Sequence, residues 1–291
     1  MKTYLIKYGN LKYNNLNPQI EEVGYPFQTF GRDINKNPLL PYSLHTEYSA
    51  SKLNDNTIEQ LHKYNFITLA SALKAKKSQL WYSEKWTYEF IDFIKFIVTN
   101  KLNNKIPKII EIHPPYIKNR NYQESLTEFF NYYKIFEDNI HKIYSSDIII
   151  LIENRNQSGS FLLSKSSDYI EFQKKIIEQN LSLKLIVDIP QLYGKMIRTY
   201  KTLTKQEIIR QIFDDLSQCK DVIGGFHICG KSHLGDFDTL FEDKKEYFLI
   251  LLKRLVDNIN NNLYVVPEIM RQSDFENIIN DIKKYQIFNF N

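Results

Sequence analysis

Ile148-Ile149-Ile150-Leu151-Ile152-Glu153-Asn154-Arg155 is the stretch that decides the fold. Five apolar residues follow one another with no polar break, four of them β-branched, and the run stops abruptly at a carboxylate. An uninterrupted run of this length reads as a strand buried on both faces, as in a parallel sheet covered by helices. The same construction recurs along the chain. Lys108–His113, Leu183–Asp188, Gly224–His227 and Leu263–Glu268 are further apolar runs that close on a polar residue. Thr3–Tyr8, Pro26–Arg32 and Tyr42–His45 lie closer together and complete a set of eight predicted strands.

Between most of these runs the sequence has room for a helix and the periodicity of one. From Ser83 onward, Trp86, Phe90, Phe93, Ile94 and Ile97 recur at helical spacing. Thr204-Lys205-Gln206-Glu207 fits a capping box ahead of Ile208, Ile209 and Ile212, and Ser273-Asp274-Phe275-Glu276 has the same form ahead of Ile278, Ile279 and Ile282. Glu246–Ile259 is another long apolar helix. Strands that alternate with helices imply a parallel sheet, and eight such units in 291 residues imply a closed (β/α)8 TIM barrel. Without a linker rich in Pro, Gly or Ser, residues 1–291 are expected to form a single TIM-barrel domain.

Composition narrows the function classes. Apolar residues make up 43% and charged residues 25%, which fits a globular chain and excludes disorder and collagen. Two cysteines, Cys219 and Cys229, make no disulfide framework, so a reducing cytoplasm is the expectation. No apolar run approaches the roughly 20 residues of a membrane helix. The net charge of +4 does not argue for nucleic acid by itself. The densest basic segment runs from Lys195 to Lys205 and includes Arg198.

The ends of the predicted strands carry the chemistry. Strand three ends in His45. Strand four carries Glu111 and His113, strand five Glu153, strand six Asp188, strand seven His227 and strand eight Glu268. Taken singly, each is a loop cap or a hydrogen-bonded structural residue. In a parallel barrel, however, all these ends converge on one mouth. Several carboxylates confined there, with imidazoles between them, are the donor set of a divalent cation. Four of the six histidines, His45, His113, His227 and His233, fall in or near this pattern. Glu111 shares a face with His113, as a hydrogen-bond partner of an imidazole, a core residue or a further ligand.

At these residues the chain resembles the endonuclease IV and xylose-isomerase-like TIM-barrel superfamily, which includes AP endonuclease family 2. Ile152-Glu153-Asn154-Arg155-Asn156-Gln157-Ser158-Gly159-Ser160, followed by Ile186-Val187-Asp188, looks like the family's Ile-Glu-Asn strand end and its next Ile-Asp. His113-Pro114-Pro115 looks like its His-Pro-Gly, and His233-Leu234-Gly235-Asp236 is similar to its His-Ser-Leu-Gly-Glu-Gly. The resemblance implies His113, Glu153, Asp188, His227 and Glu268 as metal ligands, with Glu153 bridging and Glu153 and Glu268 catalytic. His45, Glu111, Gln191 and His233 are additional ligands or supports. The chain departs from the family where Gln191 replaces a His, where Ile228-Cys229 replaces Asn-Asp, and where the third-metal segment shortens to Lys231-Ser232-His233. One or two ions of Zn, Mn or Fe are therefore expected rather than three.

Three enzymatic readings follow, and a barrel that keeps its shape without activity is the fourth. In the first, an endonuclease-like hydrolase cuts phosphodiester bonds in abasic or damaged nucleic acid, and Arg155, Lys195, Arg198 and Lys231 meet phosphates. Tyr116, Tyr193, Tyr200 and Trp81 are its candidates for stacking on bases. In the second, a sugar or sugar-phosphate isomerase or epimerase needs only Glu153, Asp188, His227 and Glu268 around one ion. The third is similar to the multinuclear iron oxidases that modify peptides, and Pro190 stands where those have Asn.

Overall fold

The computed structural model describes residues 2–25, 38–46, 59, 61–68, 70, 81–117, 121–155, 161–231 and 234–290. Eight strands close into one barrel in sequence order: β1 Thr3–Lys7, β2 Ile20–Tyr25, β3 Tyr42–Thr46, β4 Ile109–Ile112, β5 Ile149–Glu153, β6 Lys184–Asp188, β7 Ile223–His227 and β8 Leu263–Val266. Every pairing is parallel, and β1 closes the ring on β8 with Leu5 opposite Val265. The outer layer contains α1 Glu84–Asn100, α2 Tyr122–Ile143, α3 Ser166–Glu178, α4 Ile189–Thr199, α5 Lys205–Gln218, α6 Phe237–Phe241, α7 Lys245–Asp257 and α8 Gln272–Lys284. This is a single (β/α)8 barrel. Among the described residues, no helix is long and apolar enough to cross a membrane.

The apolar strands form because both faces are covered. Ile150, Leu151 and Ile152 are fully buried, as are Leu185, Ile186 and Val187. The helices begin where the sequence supplies a cap. Ser83 accepts a hydrogen bond from the Trp86 amide, and the Thr204–Glu207 box forms in both directions. The second predicted box does not form. The last helix starts at Gln272, and the Asp274 carboxylate instead accepts from the Gly235 amide at 2.7 Å, which ties the loop after β7 to the helix after β8.

One predicted strand moves. The second strand is Ile20–Tyr25, earlier than the expected Pro26–Arg32, which lies outside the described residues. The observed strand reads Ile-Glu-Glu-Val-Gly-Tyr, and two consecutive glutamates hide it from a search for apolar runs. Its Glu22 is buried and serves the centre described below.

A bulge between β6 and β7 sets the rim. Leu185 pairs with Ile223 and Ile186 with Gly225, so Gly224 is the extra residue. The shift brings Asp188 opposite His227, and a slip of one residue would turn the imidazole to the other face. The bulged strand has no room for side chains there. A Cβ on Gly225 would stand 2.2 Å from the Tyr264 carbonyl oxygen, and one on Gly224 would stand 2.7 Å from Lys184 Cβ. Because backbone oxygen on β8 cannot retreat without breaking the ladder, Gly225→Ala is expected to destabilise the fold by ~2–4 kcal/mol. Urea unfolding measures it, and an unchanged midpoint would show that the ladder gives way freely.

Candidate metal centre

Seven ionisable side chains from six strands meet at the C-terminal rim, and all are buried: His45, Glu111, His113, Glu153, Asp188, His227 and Glu268. Strand register does much of the assembly. His45 of β3 lies beside Glu111 of β4, and Asp188 of β6 beside His227 of β7. Glu153 and Asp188 are the last residues of their strands, His113 follows β4 directly, and Glu268 lies just beyond β8.

Each imidazole is held by one ring nitrogen and turns the other inward. His45 Nδ1 lies 2.9 Å from Glu111 Oε1 and 3.1 Å from Glu22 Oε1, which leaves Nε2 3.6 Å from Glu153 Oε2. His113 Nδ1 donates to the Thr46 carbonyl at 2.7 Å, and its Nε2 lies 2.6 Å from Glu153 Oε2. His227 Nε2 lies 3.2 Å from Glu111 Oε2, while its Nδ1 is 3.4 Å from Glu268 Oε2 and 4.0 Å from Glu153 Oε1. A carboxylate or carbonyl behind the ring with the second nitrogen aimed at a common point is how proteins orient imidazole for a cation. Glu111 stands against two rings at once, His45 and His227.

The Glu153 carboxylate faces two ways. Oε2 looks toward His45 and His113, and Oε1 toward His227 and the Gln191 amide, which donates to it at 2.8 Å. The same Gln191 amide donates to Asp188 Oδ2. Asp188 also caps α4, its Oδ1 accepting from the Gln191 backbone amide at 2.9 Å. Asn154 fastens β5 to β6: its Oδ1 accepts from the Asp188 amide at 2.8 Å and from the Tyr169 hydroxyl, and its Nδ2 donates to the Asp188 carbonyl.

The charges do not balance within this set. Burial and then Glu153 and Glu268 push the Asp188 carboxyl well above the usual range. Burial alone would lower His227, but Glu111, Glu268 and Glu153 outweigh it and raise it well above an ordinary histidine. Burial would raise Glu111 and Glu153, yet His227 and His45 hold Glu111 down to about 2, and Arg155, His227 and His113 hold Glu153 far below a normal glutamate. Burial and the neighbouring Arg155 lower His113 to about 4. Closely spaced buried carboxylates are tolerated only with protons or a cation among them.

Three groups have ligand atoms mutually within 4.8 Å: His45, Glu111, His113 and Glu153; His45, His227 and Glu268; and Glu153, Asp188, His227 and Glu268. The donor set fits a divalent cation of the Zn, Mn or Fe kind, with nitrogen and oxygen ligands and no thiolate. Cys229 is buried, two residues past His227.

The remaining expected residues divide. Arg155 is buried, with Nη2 2.6 Å from His113 Nε2. Lys195 and Arg198 lie on α4, which leaves the mouth at Asp188, and burial, then the neighbouring Lys165 and Arg198, lower Lys195 below an ordinary lysine. Lys231 is exposed on the loop after β7, and His233 lies outside the described residues. Trp81 is fully buried in an aromatic cluster with Trp86, Phe90, Phe129 and Phe136, so it cannot stack on a base. Its indole donates instead to the His113 carbonyl at 3.1 Å, from a backbone at φ 69°. Tyr193 is also buried, packed on Phe241, and Tyr116 lies against Phe161. Glu22 and the Thr46 carbonyl are the contributors that sequence reading missed. The polar second strand hid Glu22, and a backbone acceptor leaves no mark in a sequence.

No protein-family model matches the sequence, and neither does any curated protein. Solved structures do match. AP endonuclease family 2 from Brucella melitensis aligns with a TM-score of 0.53 and 10% identity, covering 98% of each chain. A D-tagatose 3-epimerase-like protein gives 0.50 and 14%, covering 98% of this chain and 97% of its own. An L-ribulose 3-epimerase gives 0.51 and 10%, covering 97% and 86%. The likeness is one of fold. By their names these neighbours divide between an AP endonuclease and sugar epimerases.

Two outcomes are expected of the centre. Zn or Mn at 100 times its Kd should stabilise the EDTA-treated protein by about 2.7 kcal/mol, read as a rise in Tm. No rise with Zn, Mn or Fe would end the metal reading. Glu111→Gln, which loosens His45 and His227 together, should weaken ion binding ~10–100-fold by calorimetry, and unchanged affinity would reduce Glu111 to a core residue.

Proposed function

We propose that this barrel is a divalent-metal-dependent hydrolase of phosphodiester bonds, acting on abasic or damaged nucleic acid. The observation that carries the reading is the divided orientation of Glu153, whose two oxygens face two different imidazole groups. Glu153, Asp188, His227 and Glu268 would hold one ion, and Glu153, His113 and His45 a second. Two ions so held would supply polarisation of a phosphoryl oxygen and a nucleophilic water near neutral pH.

The chain's own groups do the rest. Glu153 keeps the two ligand groups in register because one rigid carboxylate belongs to both. Glu111, Glu22 and the Thr46 carbonyl fix the ring orientations, so little reorganisation is needed when substrate arrives. Lys195, Arg198 and Lys231, on segments that leave the mouth after β6 and β7, would attract the phosphates on either side of the scissile bond. A base extruded from a duplex would expose its sugar and phosphate to the rim.

A second reading has its own supporting observation. The Arg155 guanidinium stands against His113 Nε2, which leaves Glu153, Asp188, His227 and Glu268 as a self-sufficient set for one ion. With that set alone, the barrel would be a sugar isomerase or epimerase, in which Glu153 and Glu268 exchange a proton at carbon.

Incubation with an abasic-site duplex separates the two. The hydrolase should nick it in the presence of Mn or Zn, and binding should weaken steeply as salt rises. Glu153→Gln should abolish nicking while thermal unfolding stays nearly unchanged. Cleavage by that variant at the wild-type rate would refute the role of Glu153. A protein that ignores DNA, holds one ion and interconverts ketoses would establish the second reading.

A further inference from the structure

The inference concerns Arg155 and rests on the metal reading above. Arg155 lies two residues past Glu153 and is buried, an unusual place for a guanidinium. Its Nη2 stands 2.6 Å from His113 Nε2, and the same Nε2 stands 2.6 Å from Glu153 Oε2. The Thr46 carbonyl can only accept, so His113 Nδ1 carries the hydrogen of that bond. A neutral His113 therefore has one lone pair left, at Nε2, and the arginine N–H points at it. A guanidinium has donors and no acceptor. It can stand where a cation stands but cannot share the position with one.

Charge leads to the same conclusion. On the His45 and His113 side, the Glu153 oxygen already has a permanent positive charge beside it. On the other side of Glu153, Asp188, His227 and Glu268 bring ligand atoms within 4.8 Å of it and of one another. The two halves of the centre thus present very different fields to an incoming dication.

We propose that Arg155 is a tethered cation competing with the second divalent ion for His113 and Glu153. The barrel then holds one ion tightly, on Glu153, Asp188, His227 and Glu268. It admits a second at the His45 and His113 side only as the guanidinium withdraws. A phosphodiester at the mouth is the chemical class that draws it out, because guanidinium pairs with phosphate oxygens through two parallel bonds. Substrate and second ion therefore bind cooperatively, and the coupling is reciprocal. Arg155 is a positioning residue in this scheme, and its effect is read in ion binding.

The test is titration of the EDTA-treated full chain with Mn by calorimetry, with and without dimethyl phosphate as the minimal phosphodiester. Wild type should show one tight ion and a second at least tenfold weaker. Arg155→Ala should tighten the second ion about tenfold or more and leave the first unchanged. Arg155→Gln, which keeps the length without the charge, should do the same if the alanine variant folds poorly. Dimethyl phosphate should tighten the second ion in wild type and have no effect in either variant. Two ions bound equally by wild type and variants would overturn the proposal, as would a single ion in all three. Wild type that binds no ion would overturn the metal reading itself, a separate result.

Discussion

A buried carboxylate, Glu153, surrounded by three imidazoles and three further carboxylates, is the constraint on which this structure turns. Taking so many ionisable groups out of water costs far more than packing returns, unless each finds a partner. The barrel supplies the partners by register. Neighbouring strands bring His45 beside Glu111 and Asp188 beside His227, and the bulge at Gly224 is what makes the second of these pairs possible. The rim is thus a product of the ladder, and the ladder in turn tolerates no side chain at Gly225.

Around the rim, apparently structural features turn out to hold the centre in place. The buried Trp81 packs among aromatic rings and donates to the His113 carbonyl. Asn154 joins the ends of β5 and β6, so that Glu153 and Asp188 keep a fixed separation. Asp188 caps α4 while presenting its other oxygen to the Gln191 amide. Local helix chemistry and site chemistry therefore share the same atoms, and a change made for one is felt by the other.

The two halves of the centre are not equivalent. One is lined by carboxylates and His227. The other already contains a guanidinium. This asymmetry explains why a hydrolase and an isomerase compete so closely as functional readings. The first uses both halves and the second only one. Fold likeness cannot decide between them, because neighbours of both kinds share the architecture at low identity.

The sequence by itself determined the barrel and the list of rim residues. Buried parallel strands must be apolar throughout, so their ends stand out wherever the first ionisable residue appears, as at Glu153, Asp188 and His227. It failed where that rule fails. The second strand carries Glu21 and Glu22, and its buried glutamate serves His45 rather than the core. Only the tertiary structure decided which nitrogen of each imidazole faces inward, that Glu111 supports two rings, that Trp81 is a buried donor, and that Arg155 turns toward His113. Each of these depends on contacts between residues distant in the chain, and periodicity along one strand or helix carries no information about what lies across the barrel.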